Sequence, residues 1–369
     1  MRQVASSRVD RTFLVLVLFI SIFGLVMLTS ASGPTSYGEY GNSFYFVKHQ
    51  FLAGLLPGLV MMFIASRIPY TLYRTYALPL LLISVGLLTL VFIPGIGTDL
   101  NTFAKSWVQI GSFVFQPAEI VKLTFLLYLA AWMERRGTEL KDFNAGLVPF
   151  LAILGVIAFL MMQQPDLGSL SIIAAMAFIV YFAAGAPVIY LSGIGMIGAV
   201  IFSILVKTSE YRVNRLLTFL HPELDPLGAG YQINQALLAI GSGGLLGRGY
   251  GHSLQKHQYL PEVSGDSIFA VIGEELGFIF TVVFIGVFGA MIMRGFKIAQ
   301  LAHDDFGRFL VIGIMGWFGV QAIVNIGAML SLLPLTGVTL PFVSYGGTSL
   351  VIALTAAGIV LNVSKGKQE

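Results

Sequence analysis

The stretch "YLPEVSGDSIFAVIGEELG", residues 259–277, combines acidic side chains with an apolar segment of membrane-spanning character. Its four carboxylates are Glu262, Asp266, Glu274 and Glu275. Ionisable groups are costly beside or within hydrocarbon, and where they occur they line cavities, mark pathways or pair with one another. These acids therefore need either a function or a partner in the fold.

The rest of the chain has the composition of a multi-pass membrane protein. Of 369 residues, 56% are hydrophobic and only 11% are charged, too few polar side chains to cover a soluble globule of this size. Apolar windows long enough to cross the hydrocarbon layer recur along the sequence. We predict an all-α polytopic membrane protein with about ten transmembrane helices. These spans are 12–31, 50–66, 76–94, 116–133, 146–162, 168–184, 188–206, 268–293, 308–330 and 349–363.

Positive charge is concentrated in alternate connections between these spans. By the positive-inside rule both termini are cytoplasmic, and residues 207–267 form one long extracellular loop between the seventh and eighth helices. Lys and Arg at span ends account for the pI of about 9.0, so no nucleic-acid partner is indicated. The absence of cysteine excludes disulfides and thiolate metal sites. Residues 1–369 are interpreted as a single membrane domain.

The long loop contains a glycine-rich segment, residues 241–251, with Arg248 inside it and Lys256 shortly after. Glycine permits backbone geometries closed to other residues and allows a bulky ligand to approach the main chain. Neither nucleotide-binding glycine motif is present. Two interpretations remain open: a tight turn packed on helix ends, or a site where Arg248 and Lys256 bind an anionic lipid-linked phosphate. We expect such an outer loop to be flexible and to contribute little to stability.

A second polar group opens the predicted span 116–133. Gln116 stands at its start, and Glu119 and Lys122, three residues apart, share one helix face. They form either an ion pair that ties helices together or part of a polar substrate cavity. Asp166, at another helix start, is expected to cap the helix that follows.

A third segment, residues 332–349, joins the last two spans and contains several prolines and glycines. These breakers exclude a continuous helix and predict a loop or re-entrant turn that lines protein or water. Ser344 and Tyr345 are candidate hydrogen-bond donors to a ligand. A serine nucleophile is disfavoured, because no histidine lies nearby in the sequence and the GxSxG elbow is absent.

Five ordered motifs, "FQPAEIVKL", "QQPDLGS", "YQINQALLAIGSGGLLGRGYG", "YLPEVSGDSIFAVIGEELGF" and "LPFVSYGGTS", resemble the SEDS (shape, elongation, division and sporulation) family of FtsW and RodA proteins, with the FtsW-like branch favoured. The resemblance implies a peptidoglycan glycosyltransferase of the bacterial cytoplasmic (inner) membrane that polymerises lipid II on its outer face. Implied partners are a class B penicillin-binding protein transpeptidase and other divisome or elongasome membrane proteins. A lipid II flippase or a non-enzymatic division scaffold is the alternative. A requirement for Mg²⁺ or Mn²⁺ stays open.

In this family the essential acid follows Pro-Glu-x-His-Thr, and here "PEVSG" precedes Asp266, so Ser-Gly replaces His-Thr. The resemblance implies that Asp266 is the catalytic acid of the site. Joining two sugars needs a base for the acceptor hydroxyl and donors for the departing pyrophosphate, with inversion at the anomeric carbon. The alternative is that Asp266 only caps the following helix. Glu274 and Glu275, one turn or more deeper, are interpreted as structural partners.

Overall fold

The computed structural model describes residues 9–98, 105–111, 113–207, 213, 217–221 and 228–366 of the chain. Each of the ten predicted spans coincides with a helix in this part of the chain. In chain order the helices are α1 (Arg11–Tyr40), α2 (Tyr45–Arg67), α3 (Tyr70–Leu90), α4 (Pro117–Arg136), α5 (Phe143–Gln163), α6 (Leu167–Ala183), α7 (Val188–Lys207), α8 (Ala229–Ser242), α9 (Ile268–Gln300), α10 (Asp305–Met329) and α11 (Gly347–Val363).

Six of these helices, α1, α2, α3, α5, α9 and α10, are long and apolar enough to cross a membrane. Helices α6 and α11 are shorter but also apolar. Charged side chains interrupt the apolar sequence of α4. The helix is nevertheless mostly buried inside the bundle. Burial explains its tolerance of these charges, because its polar groups face other helices instead of lipid. The chain is thus a multi-pass membrane protein.

Two elements depart from the sequence-based prediction. The expectation of an all-α chain is wrong in detail, because a three-stranded antiparallel sheet precedes α4. Its strands are β1 (Gly97–Thr98), β2 (Trp107–Ile110) and β3 (Phe113–Phe115). Each is far shorter than a membrane span, so a hydropathy window of span length does not detect it. The segment 207–267 is also not one loop, since α8 lies within it.

Helix α9 is interrupted at Gly277, whose φ of 75° and ψ of 179° are not helical. The segment 243–251, here called the glycine loop, is inserted at this break. Carbonyls of α9 that precede the break accept hydrogen bonds from loop amides, and amides that follow the break donate to loop carbonyls. The four bonds are Arg248 N–H to Glu274 O (3.0 Å), Gly249 N–H to Glu275 O (3.0 Å), Phe278 N–H to Gly244 O (2.9 Å) and Ile279 N–H to Leu245 O (3.1 Å).

The insertion needs glycine on both partners because the two backbones touch. A Cβ atom on Gly277 would overlap the backbone nitrogen of Gly247, and a Cβ atom on Gly247 would overlap the carbonyl oxygen of Glu275. Gly243 meets α9 in the same way, at the carbonyl oxygen of Gly273. The expectation that this loop is flexible and contributes little to stability is therefore wrong.

The predicted non-helical segment before the last span is confirmed. Residues 331–346, here called the C-terminal loop, are non-helical, and all but two of them are buried or half-buried. The loop lies against α1, where a Cβ atom on Gly24 would come within 2.6 Å of the carbonyl oxygen of Phe342. The side chain of Gln50 on α2 donates to Ser344 O (3.2 Å) and accepts from Gly346 N–H (3.0 Å). Protein groups thus satisfy backbone that could not face lipid.

Replacing Gly277 by Ala should destabilise the bundle. The backbone at Gly277 lies in a region that is essentially restricted to glycine, and the added methyl group would also displace the glycine loop. We expect a loss of about 3 kcal/mol or more in the free energy of unfolding, measured in detergent. Gly286→Ala in the same helix is the matched control, because its Cβ would meet open space. Equal stability of both variants would contradict the insertion geometry.

Candidate active site

Asp266 lies immediately outside the start of α9. Position 267, a serine, is the N-cap residue, so Asp266 stands one residue before the cap. The carboxylate is half-buried and accepts a hydrogen bond from Gln232 Nε2 at 3.3 Å. Asn325 Nδ2 on α10 donates to the backbone carbonyl of Asp266 at 2.8 Å. The acid is therefore fixed through both its side chain and its backbone.

Gln232 and Asn325 were not predicted from the sequence. Gln232 lies on α8, within the segment expected to be a loop, and it also donates to Ser267 Oγ at 3.0 Å. Asn325 lies on α10, about one turn before its end, and an amide side chain in an apolar helix is a usable signal because polar groups there need partners. Its Nδ2 also donates to Val338 O in the C-terminal loop at 2.8 Å.

Glu119 and Lys122 form a buried ion pair on α4. Lys122 Nζ lies 2.7 Å from Glu119 Oε1, and the two residues are 1% and 5% exposed. Lys122 Nζ also donates to Gln321 Oε1 on α10 at 3.1 Å and lies over the Trp317 ring, 5.1 Å from its centroid. The second carboxylate oxygen of Glu119 has no hydrogen-bond partner among the described residues. The pair is thus buried between two helices with one acceptor unused.

One face of α10 connects this ion pair with the acid. Gln321 and Asn325 are four residues apart, so they share a helix face. Gln321 contacts Lys122 and also donates to Thr339 O at 2.9 Å, while Asn325 holds the backbone of Asp266. The C-terminal loop therefore lies along the polar face that joins the two groups.

Gln116, the residue that precedes α4, contacts a helix cap. Asp166 accepts from Ser169 N–H at 2.9 Å and caps α6, as predicted. Gln116, half-buried at the start of α4, donates to the other carboxylate oxygen of Asp166 at 3.5 Å. Gln116 thus contacts a cap at the beginning of the neighbouring helix.

Ser344 and Tyr345 lie where the C-terminal loop approaches the acid. Ser344 is buried, and its Oγ accepts from Leu340 N–H at 2.8 Å. Tyr345 N–H donates to Ser264 O at 2.8 Å, and its hydroxyl lies 2.9 Å from His49 Nδ1. Burial, with Tyr45 and Tyr40 close by, raises the pKa of Tyr345 to about 12, so the phenol keeps its proton at neutral pH.

The carboxylates of Glu274 and Glu275 are buried, and both have partners in and around the glycine loop. Arg248 Nη1 lies 3.2 Å from Glu274 Oε1, and Lys256 Nζ lies 2.9 Å from Glu275 Oε1. Ser253 Oγ donates to Glu274 at 2.5 Å. This arrangement agrees with the interpretation of the two acids as structural partners.

Lys256 and Arg248 differ in how many hydrogen-bond donors they leave free for a ligand. Lys256 is 4% exposed and donates to Ser30 Oγ (2.8 Å), Gly251 O (2.8 Å) and Glu275 Oε1 (2.9 Å), which uses all three ammonium protons. The side chain of Arg248 is 37% exposed, and one of its nitrogens is bonded to Glu274. Arg248 is thus the cation of the pair that can meet a ligand without leaving its present partner.

Lys256→Ala should reduce stability far more than Arg248→Ala. Removing Lys256 leaves the Glu275 carboxylate buried without its cation, at a cost of about 3 to 5 kcal/mol. Removing Arg248 breaks a half-exposed ion pair, worth about 1 kcal/mol or less, while Ser253 still satisfies Glu274. Thermal unfolding of both purified variants measures the difference, and equal losses would contradict it.

Glu119 and Lys122 should behave as a coupled pair. Each single alanine variant leaves the other charge buried, so each should cost about 3 to 5 kcal/mol, and the double variant should cost less than their sum. Arg136 and Glu139 are the matched control, with the same spacing and a 2.8 Å separation but half-exposed side chains. The double-mutant cycle at this control pair should give a coupling energy of about 0.5 kcal/mol or less. Additive losses at the buried pair would show that the two charges do not interact.

These features define a class of protein: a polytopic membrane protein with one acid fixed at the start of a helix that an inserted glycine loop interrupts further along. The FtsW/RodA/SpoVE family, described as cell cycle protein, matches residues 10–369. The chain belongs to this family.

Individual relatives match along nearly the whole chain. A Trichlorobacter lovleyi protein named probable peptidoglycan glycosyltransferase FtsW is 41% identical over 357 residues, which cover 97% of this chain and 93% of the relative. Stage V sporulation protein E of Bacillus subtilis is 40% identical, with 96% and 97% covered.

Solved structures show the same fold. Rod shape determining protein RodA of Thermus thermophilus superposes with a TM-score of 0.66 at 29% identity, and 96% of each chain is covered. A chain from a peptidoglycan synthase complex, in work on the coordination of polymerization and crosslinking, gives a TM-score of 0.78 at 27% identity. That match covers 96% of this chain and 97% of the other.

Proposed function

We propose that this chain is a peptidoglycan glycosyltransferase that polymerises lipid II, with an FtsW-like role in cell division. Relatives named probable peptidoglycan glycosyltransferase FtsW, matched along almost their whole length, support the activity and the division role. The observation that carries the mechanism is the placement of Asp266: a half-buried carboxylate at a helix entrance, held by Gln232 and by the amide of Asn325.

The proposed orientation places this chemistry on the outer face of the bacterial cytoplasmic membrane. Basic side chains cluster in connections on the same side as both termini, which the positive-inside rule assigns to the cytoplasm. With all ten predicted spans crossing, Asp266, the glycine loop and the C-terminal loop lie toward the outside. A lipid-linked sugar can then reach the acid from the outer leaflet.

In the proposed reaction Asp266 acts as the general base. Its carboxylate takes the proton of the acceptor sugar hydroxyl as the hydroxyl oxygen attacks the anomeric carbon of the donor. The bond from that carbon to the lipid pyrophosphate breaks, the pyrophosphate leaves with the bonding electron pair, and the anomeric centre is inverted. Resemblance to the family identifies the hydroxyl as the 4-OH of N-acetylglucosamine.

Arg248 is the proposed donor to the departing pyrophosphate, because its half-exposed guanidinium keeps donors free of its bond to Glu274. Lys256 is proposed to act indirectly, by fixing the loop that carries Arg248. Gln116, Glu119 and Lys122 are proposed to line the polar interior of a substrate cavity.

Ser344 and Tyr345 are proposed to border the same cavity, from the C-terminal loop. Among the described residues no three His, Cys, Asp or Glu side chains are grouped closely enough to hold a metal ion. A requirement for Mg²⁺ or Mn²⁺ stays a prediction, which activity measured with and without added divalent cation tests.

A class B penicillin-binding protein transpeptidase is the proposed partner, which would crosslink the new strand, together with other division membrane proteins. The similarity to a chain of a peptidoglycan synthase complex supports an assembly of this kind.

Asp266→Asn should abolish glycan synthesis while leaving the fold intact. The amide keeps the shape of the side chain but cannot take a proton, so synthesis of glycan strands from lipid II by purified protein should fall about 100-fold or more. Asp305→Asn, at an exposed carboxylate outside the site, is the matched control and should retain activity.

Near-normal synthesis by Asp266→Asn would defeat the assignment and make Glu262 the next acid to test. Unaltered protein that moves lipid II across vesicles without joining it would favour the flippase alternative. Unaltered protein that does neither, alone or with its partner transpeptidase, would favour the scaffold.

A further inference from the structure

Four aromatic side chains contact one another where α1 ends and α2 begins. The rings of Tyr40 and Tyr45 stack with centroids 3.8 Å apart, and Phe46 packs edge-on against both. Tyr345 packs edge-on against Phe46 at 5.1 Å. This group is here called the aromatic patch. Tyr40 and Tyr45 are 50% and 39% exposed, so the patch presents ring surface outside the bundle.

Measured from the end of the predicted span 12–31, the patch lies beyond the depth at which tyrosines usually anchor a helix at the membrane surface. Tyr40 follows the predicted span 12–31 by nine residues of continuous helix, which is about 13 Å at about 1.5 Å per residue. The polar headgroup layer on each side of the hydrocarbon is only about 5 to 8 Å thick. Interfacial anchoring therefore does not account for the stacked pair.

Tyr345 joins the patch to the proposed catalytic acid. Its N–H donates to Ser264 O at 2.8 Å, and Ser264 is two residues before Asp266, a distance of at most about 7 Å along an extended chain. The contact of its hydroxyl with His49 Nδ1, at 2.9 Å, fixes the ring direction. The aromatic surface thus begins beside the acid and continues to the end of α1.

Rings of this kind suit a neutral carbohydrate. The face of a hexose ring presents C–H groups that pack against an aromatic face, and phenol hydroxyls reach the hydroxyl and acetamido groups at the sugar edge. Tyrosine offers this mixed surface with little conformational entropy to lose. None of the four side chains carries a charge at neutral pH, so they do not provide a site for pyrophosphate.

We propose that the aromatic patch is a docking surface for the sugar rings of the product glycan strand, and that it holds the strand beside Asp266 between successive additions. This rests on the glycosyltransferase function proposed above. A strand that stays on the patch is extended repeatedly, so the patch sets strand length.

The test compares full-length protein with a Tyr40→Leu/Tyr45→Leu double variant. Phe113→Leu, at an aromatic residue 67% exposed on β3 and outside the patch, is the matched control. Strand lengths made from labelled lipid II are read on gels, and binding of an N-acetylglucosamine tetrasaccharide is measured by calorimetry. We expect the double variant to make shorter strands and to bind the tetrasaccharide about fivefold more weakly. The control should match the unaltered protein.

A Tyr40→Phe/Tyr45→Phe variant keeps both ring faces and should retain strand length. If the double leucine variant does not fold, the single Tyr40→Leu variant, which removes one half-exposed ring, takes its place. Its expected effect has the same direction.

Unchanged strand length and unchanged tetrasaccharide binding would overturn the proposal. So would a lower folded yield with unchanged lengths, which would indicate membrane anchoring only, or loss of the partner transpeptidase with unchanged lengths, which would indicate a protein-binding surface. If the unaltered protein makes no strands, the proposed function fails instead. The comparison of tetrasaccharide binding between the unaltered protein and the double leucine variant then tests the patch by itself.

Discussion

The insertion of the glycine loop into the break at Gly277 is the constraint on which the rest of this end of the bundle depends. A broken helix leaves amides and carbonyls that cannot stay unpaired away from water, and the loop supplies both kinds of partner. The insertion also brings Ser253 and Lys256 onto the two buried carboxylates beside the break. Backbone pairing and buried charge thus stabilise the same junction, and Asp266 lies at the other end of the short half-helix that the break creates.

Each of the two buried lysines joins two elements of the fold. Lys256 joins α1 and α9 through Ser30 and Glu275. Lys122 joins α4 and α10 through Gln321. Burying an ion pair offers little net stability over an apolar pair of similar shape, whereas leaving one partner alone costs several kcal/mol. Such pairs therefore favour one packing of the helices over others.

The acids of residues 259–277 consequently have different roles. Glu274 and Glu275 are buried and hydrogen-bonded within the protein, so they hold the glycine loop. Glu262 is exposed, at a turn where its φ is +50°. Asp266 is half-buried, between these extremes, where a carboxylate is fixed by neighbours and still reachable. Exposure and hydrogen-bond partners distinguish the roles of the four acids. Their spacing in the sequence does not distinguish these roles.

The sequence by itself determined that the chain is a multi-pass membrane protein, where its apolar helices lie, the cap at Asp166 and the non-helical character of the C-terminal loop. These follow from local properties: apolar length, helix spacing, capping chemistry and the effect of proline and glycine on the backbone. Motif resemblance pointed to Asp266 and to the family.

Only the tertiary structure decided the rest, because it depends on contacts between residues far apart in the chain. Gln232 and Asn325 are 34 and 59 residues from Asp266, and no local pattern links them to it. The glycine loop looks mobile by composition, yet its glycines are there because two backbones touch. Lys256 resembles a ligand-binding cation in the sequence, but the fold buries it against Glu275 and Ser30. Burial and partner choice are properties of the packed chain, so a single sequence could name the charged residues but could not say which of them remain open to substrate.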